Sequence, residues 1–171
     1  DEMLVELNLL NHQVEFFQED LFCIGLTETF KELMKGYKPE EHLNLLFMSL
    51  CNSTNFEGEE IKETSIKFLK EIKNKSSKDI SNFLVDKISG DLYSSRLLNL
   101  GLYTIFSYSK DFKESSESEK NKLIANAISN LNLSVSKAEK DIGIYKSSLT
   151  KLKQAKELVE ELKLKDKKKE K

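Results

Sequence analysis

One proline and six glycines in 171 residues leave very few places where this chain can turn sharply. An all-β fold needs turn residues at every reversal, and so is excluded. Two cysteines, Cys23 and Cys51, are too few for a disulfide framework or a structural zinc site. They lie in the apolar stretches LFCIGL and MSLCN. That setting fits two buried free thiols or a single bridge between neighbouring helices. Arg96 is the sole arginine among 27 basic residues. Arginine is the preferred fork for phosphates and base edges, so its scarcity counts against nucleic-acid recognition. It equally fits a genome rich in A and T, as do the abundant Lys, Asn, Ile and Ser. The net charge of -2 gives no global attraction to nucleic acid or anionic membranes. No run of about 18 apolar residues exists to form a transmembrane helix. The chain opens at Asp1 without a methionine or signal peptide, which reads as a mature or trimmed fragment.

Catalytic patterns are missing as well. The two histidines, His12 and His42, read as surface groups in local polar surroundings. Neither follows a glutamate at i−3, and there is no HExxH, so no metal site is expected. GxGxxG, GxxxxGK[ST] and GxSxG are all absent. Carboxylate pairs such as Glu19/Asp20, Glu59/Glu60 and Glu160/Glu161 fall on polar helix faces, where nothing desolvates them into general acids. No catalytic, cofactor-binding or metal-ligating residue is assigned, and the chain is not expected to be an enzyme. Tyr93, Arg96, Tyr103 and Tyr108 share the most apolar stretch and read mainly as core residues with polar tips, binding anchors being the alternative.

What is present is helical periodicity. In the last quarter, apolar residues recur at Leu131, Val135, Ala138, Ile142, Tyr145, Leu149 and Leu152 in steps of four and three, then shift to Ala155, Val159 and Leu162. A helix over 118–164 would run ~70 Å, against a compact diameter of about 40 Å for this chain length. It must therefore break, most easily around Ser129–Ser136, or overhang. An overhang leaves apolar surface in water and favours a partner. The seam Ile142, Tyr145, Leu149, Leu152 and Val159 is the candidate surface for a partner or for homodimerisation.

Upstream, one helix is predicted over Met3–Ile24, with Gly25 a weak point and Thr27 capping a restart. Gly36 fits a helix C-cap, and Pro39 the first turn of a helix running to Cys51. A helix over 57–73 follows, burying Ile61, Ile66 or Ser65, Phe68, Leu69 and Ile72, and then a second with Ile80, Phe83, Leu84 and Ile88. Ser76 with Asp79 opens the second, and Gly90 and Asp91 supply a stop and a fresh cap. Leu92–Tyr108 is apolar nearly all round and reads as the central helix, with Gly101 permitting close approach of another helix. KDFKESSESEK reads as a loop, and Ser116 with Glu119 as the capping box of the final helix. The expected fold is an all-α bundle of six or seven helices with a long C-terminal helix and no sheet. It forms one domain over 1–165, with 166–171 a frayed lysine-rich tail.

The phrases IKFLKEIKNKSSKDISNFL and LTKLKQAKELVEELKLKDKKK resemble the helical outer-surface lipoproteins of Borrelia that include complement-regulator-acquiring surface proteins. That resemblance implies a lipid-anchored ectodomain on the bacterial outer surface. Host proteins such as complement regulators or matrix components would be its partners. The membrane would be met only through an N-terminal lipid anchor absent from this chain. The alternative is an intracellular structural or adaptor bundle acting through its long C-terminal helix.

Overall fold

The computed structural model describes residues 2–13, 19–88 and 92–169. Among them the chain is all-helical, with no strand, and ends in a long helix. The elements are α1 (Glu2–Asn11), α2 (Asp20–Leu33), α3 (His42–Asn52), α4 (Gly58–Ile72), α5 (Ser77–Lys87), α6 (Arg96–Ser107), α7 (Lys110–Glu114), α8 (Glu117–Asn130) and α9 (Val135–Lys169). These are nine helices among the described residues, where six or seven were expected, and the differences are local.

The predicted Met3–Ile24 helix stops early. His12 and Gln13 donate to the carbonyls of Leu9 and Leu10, three-residue closures that tighten the last turn. Leu7 and Leu10 pack into the same cluster as Phe22 and Leu26. Val14 and Phe17, assigned to that helix, lie outside the described residues, as do Gly90 and Asp91. Gly25 and Thr27 do not interrupt α2, which runs straight through both. Pro39 precedes α3 rather than opening it, since His42 donates to the Pro39 carbonyl in a lead-in turn. Met34, not Gly36, is the C-cap of α2, and Gly36 takes its φ of +82° two residues farther on, in the turn that leads away from the helix. Residues 92–95 stay non-helical because Ser95 caps α6, its hydroxyl accepting from the Leu98 amide.

The stretch read as a loop forms α7, because Phe112 buries against Tyr103 and Phe106 and the Ser109 hydroxyl accepts from the Phe112 amide. Asp111 on α7 accepts from the Ser77 amide with both carboxylate oxygens, at 3.1 and 3.0 Å, and so satisfies the first turn of α5. Burial works against ionisation of Asp111, but hydrogen bonds from Ser109 and Ser77 hold its pKa below the usual range. In α4 the buried position is Ser65, while Ile66 is exposed. Ser116 and Glu119 form the expected capping box of α8.

The core centres on α6. Its contact with α2 is the most extensive in the molecule, and a larger cluster carries α5, α7, α8 and the start of α9 against it. A smaller cluster joins α1, α3 and α4 to α2. Both cysteines are thiols, not bridged to each other, and are buried in that smaller cluster. Burial pushes the Cys51 thiol up to about 11.

Gly25 and Gly101 sit at the α2–α6 crossing. A β-carbon on Gly101 would lie 1.8 Å from the Leu21 carbonyl oxygen, and one on Gly25 would lie 1.7 Å from that of Leu97. Gly101 thus permits the close approach expected of it. Gly25, read as a weak point, is its counterpart.

Candidate interaction surface

The predicted final helix both breaks and overhangs. α8 ends at Asn130, and Asn132 takes a φ of +56° in the turn that follows. The Leu133 amide donates to the Ile128 carbonyl, closing a short link into α9. Asparagine tolerates the left-handed region better than other side chains with a β-carbon. The two helices form an antiparallel hairpin, in which Lys146 reaches back to Glu117 at 3.3 Å.

The first half of α9 is anchored. Ala138 and Ile142 are buried in the main core. Asp141 accepts a 2.8 Å hydrogen bond from the Asn99 amide, with Asn99 fully buried on α6. Arg96 lies 3.9 Å from Asp141 and 3.7 Å from Glu6 of α1. Glu6 also accepts from the Leu97 amide at 3.1 Å, which places a carboxylate at the positive N-terminal end of α6. Burial nevertheless raises the Glu6 pKa, outweighing the Leu97 amide and the Arg96 charge. α1, α6 and α9 are therefore tied by one partly buried polar network.

Farther along, Tyr145 and Leu149 help to line an open cleft with Glu28 and Glu32 of α2 and Tyr103 and Tyr108 at α6. The Tyr108 hydroxyl donates to Glu28 at 2.6 Å, and Lys31 pairs with the other Glu28 oxygen at 2.5 Å. Tyr145 is pushed up to about 12 by burial first and then by the negative field of Glu32. Burial and the bond to Glu28 likewise push Tyr108 upward. Both hydroxyls hold their protons at neutral pH, and that of Tyr108 is engaged as a donor to Glu28. Neither histidine lines the cleft. His12 bonds the Asn8 carbonyl at 2.7 Å. Among the described residues, no cluster of three or more His, Cys, Asp or Glu is placed to hold a metal.

Beyond the cleft, Leu149 and Leu152 lie beside Lys35 and Gly36 at the end of α2. Lys156 donates to the Lys35 carbonyl, a cation on the negative end of that helix. This is the last described hydrogen bond between α9 and the rest of the chain. Past it, Leu158, Val159 and Leu162 are 56%, 49% and 51% exposed. The seam read from the sequence is thus divided: Ile142 and Tyr145 turn inward, Leu149 and Leu152 are half-buried against α2, and Val159 stands on the free part. The spacing located this stripe but carried no sign of where the bundle stops covering it. Asn99 and Asp141 were missed, because their pairing joins positions 42 residues apart.

The comparisons with known proteins agree with one another. The profile of the family described as "Thylakoid formation protein" matches residues 1–171. Protein Thf1 of Prochlorococcus marinus subsp. pastoris (strain MED4) is 65% identical over all of this chain and 85% of its own length. Protein Thf1 of Prochlorococcus marinus strain MIT 9312 is 64% identical, over 99% of this chain and 84% of its own. The solved structure of Psb29 superposes with a TM-score of 0.82 at 26% identity, covering 98% of this chain and 85% of that one.

These findings overturn the likeness to Borrelia lipoproteins, and with it the outer-surface location, the lipid anchor and the role in binding host proteins. The likeness followed a bias toward lysine, asparagine and serine, which unrelated helical chains share, and it rested on no motif. Through the match along its whole length and the identity to its cyanobacterial relatives, the chain belongs to the thylakoid formation protein family.

Proposed function

We propose that this protein is a non-catalytic scaffold in thylakoid formation, and that it works through the part of α9 beyond Lys156. One observation carries this reading. A helix whose first half is locked into the core continues past its last described hydrogen bond to the bundle, with Leu158, Val159 and Leu162 about half exposed. Large apolar side chains gathered on one uncovered helix face form the kind of contiguous patch that serves as an interaction site. The cleft chemistry supports the same view, since Tyr108 and Tyr145 hold their protons and Glu28 is engaged by Tyr108 and Lys31.

The test is genetic. A cyanobacterium deleted for its own family member receives the full chain, a chain ending at Lys156, or the Leu158→Asp/Leu162→Asp variant. Thylakoid content is read by electron microscopy. The full chain is expected to restore thylakoids, while the other two, folded by circular dichroism, fail. Restoration by the chain ending at Lys156 would refute the proposal.

A further inference from the structure

The chain's net charge of -2 conceals a strong segregation. Residues 163–171 hold six lysines against Asp166 and Glu170, a net +4, which leaves -6 on residues 1–162, with Glu157, Glu160 and Glu161 at the start of the arm. This cationic end follows directly on the exposed Leu158, Val159 and Leu162. At 100° per residue those three fall on one face, with Glu157, Glu160 and Glu161 all about 100° or more from its centre. The acidic side chains of this turn therefore do not interrupt the apolar face.

We infer that the free arm of α9 docks on an anionic lipid surface, with Leu158, Val159 and Leu162 entering the headgroup boundary and the lysine-rich end held by lipid charge. The inference rests on the proposed function, whose working surface it supplies with an occupant. Two weak signals side by side, an apolar face and a polybasic segment, are what reversible membrane attachment requires. A lysine close to an anionic leaflet strengthens binding by about five-fold.

Charge favours lipid over a second copy of this chain, since two lysine-rich ends of like charge repel one another while an anionic leaflet attracts each. A bilayer sets no register and needs no second helix. The acidic body, for its part, is repelled by an anionic leaflet, which leaves the arm as the point of contact.

The experiment is vesicle flotation with the full chain. Vesicles of 30 mol% phosphatidylglycerol in phosphatidylcholine are compared with pure phosphatidylcholine, at low salt and at 0.5 M salt. The full chain is expected to float with the anionic vesicles at low salt, to bind neutral ones at least ten-fold more weakly, and to be released by salt. Leu158→Ser/Leu162→Ser and Lys167→Glu/Lys168→Glu/Lys169→Glu should each lose at least ten-fold while their helical circular dichroism is unchanged. Absence of flotation, equal binding to both vesicle types, or full binding by either variant overturns the inference. So does a stable dimer in light scattering that either variant dissolves. If flotation fails while the chain ending at Lys156 still cannot restore thylakoids, the lipid inference falls and the scaffold reading stands. If flotation occurs and the shortened chain restores thylakoids, the scaffold reading falls instead.

Discussion

The crossing of α2 and α6 makes a prediction whose sign depends on geometry. In an isolated helix, replacing glycine by alanine adds about 1 kcal/mol of stability. Gly101→Ala should do the opposite. Its β-carbon would meet the Leu21 carbonyl oxygen at 1.8 Å, the carbonyl carbon at 2.8 Å and the Gly25 nitrogen at 3.0 Å. All three are backbone atoms, so no rotamer change relieves the contact. Carbon and oxygen rest at about 3.3 Å or more, and the two helices must separate by roughly 1.5 Å. A gap of 0.5–1 Å already forfeits about a quarter to a half of each dispersion contact along the interface. That interface includes Leu21, Ile24, Leu98 and Leu102, all buried in the main cluster. Overpacking costs about 1–3 kcal/mol when side chains can yield, and backbone yields less. Net of the helix-propensity gain, a loss of at least ~2 kcal/mol is expected, a Tm fall of about 4–8 °C for a domain of this size.

Gly143→Ala is the control. Gly143 is also helical, but nothing lies within 4 Å of an added β-carbon. It should gain about 0.5–1 kcal/mol. Thermal unfolding followed by circular dichroism reads both variants. If Gly101→Ala matches or exceeds the wild-type Tm, the close crossing is not a constraint and this account of the core is wrong.

Three further outcomes follow from the polar contacts. The Glu6 pKa is raised by burial, so the folded state holds that proton more tightly than the unfolded one does. Its contribution is greatest below the ordinary glutamate pKa of about 4.3 and declines as pH rises through the folded value. The stability of wild type relative to Glu6→Gln should therefore fall from pH 4 upward, and urea midpoints that stay parallel across this range would contradict it. Asp111→Ala leaves the Ser77 amide at the start of α5 without its acceptor and should cost about 1 kcal/mol, read by urea unfolding. With both cysteines buried and Cys51 pushed up to about 11, neither thiol should react with a disulfide reagent at pH 8 until urea unfolds the chain.

Helix class, the caps at Ser76 and Ser116 and the apolar stripe of the last helix were legible in the sequence. These are local properties. Ser116 reaches Glu119 within one turn, and the steps from Leu131 to Leu152 repeat with the pitch of a helix whatever surrounds them. Compositional flavour, by contrast, pointed to the wrong family, because a lysine- and asparagine-rich surface records no particular ancestry.

What needed the tertiary structure was every decision that joins distant segments. Gly25 looked like a defect in a helix until Leu97 and Gly101 were placed against it. KDFKE looked like a loop until Phe112 found the core. Asn99 in an apolar helix had no visible partner until Asp141 arrived from α9. The seam from Ile142 to Val159 is continuous in sequence, yet the bundle covers its first half and leaves Val159 half in water. Periodicity specifies which face of a helix is apolar. How far that face is covered depends on where other helices end, and here α2 ends beside Lys156.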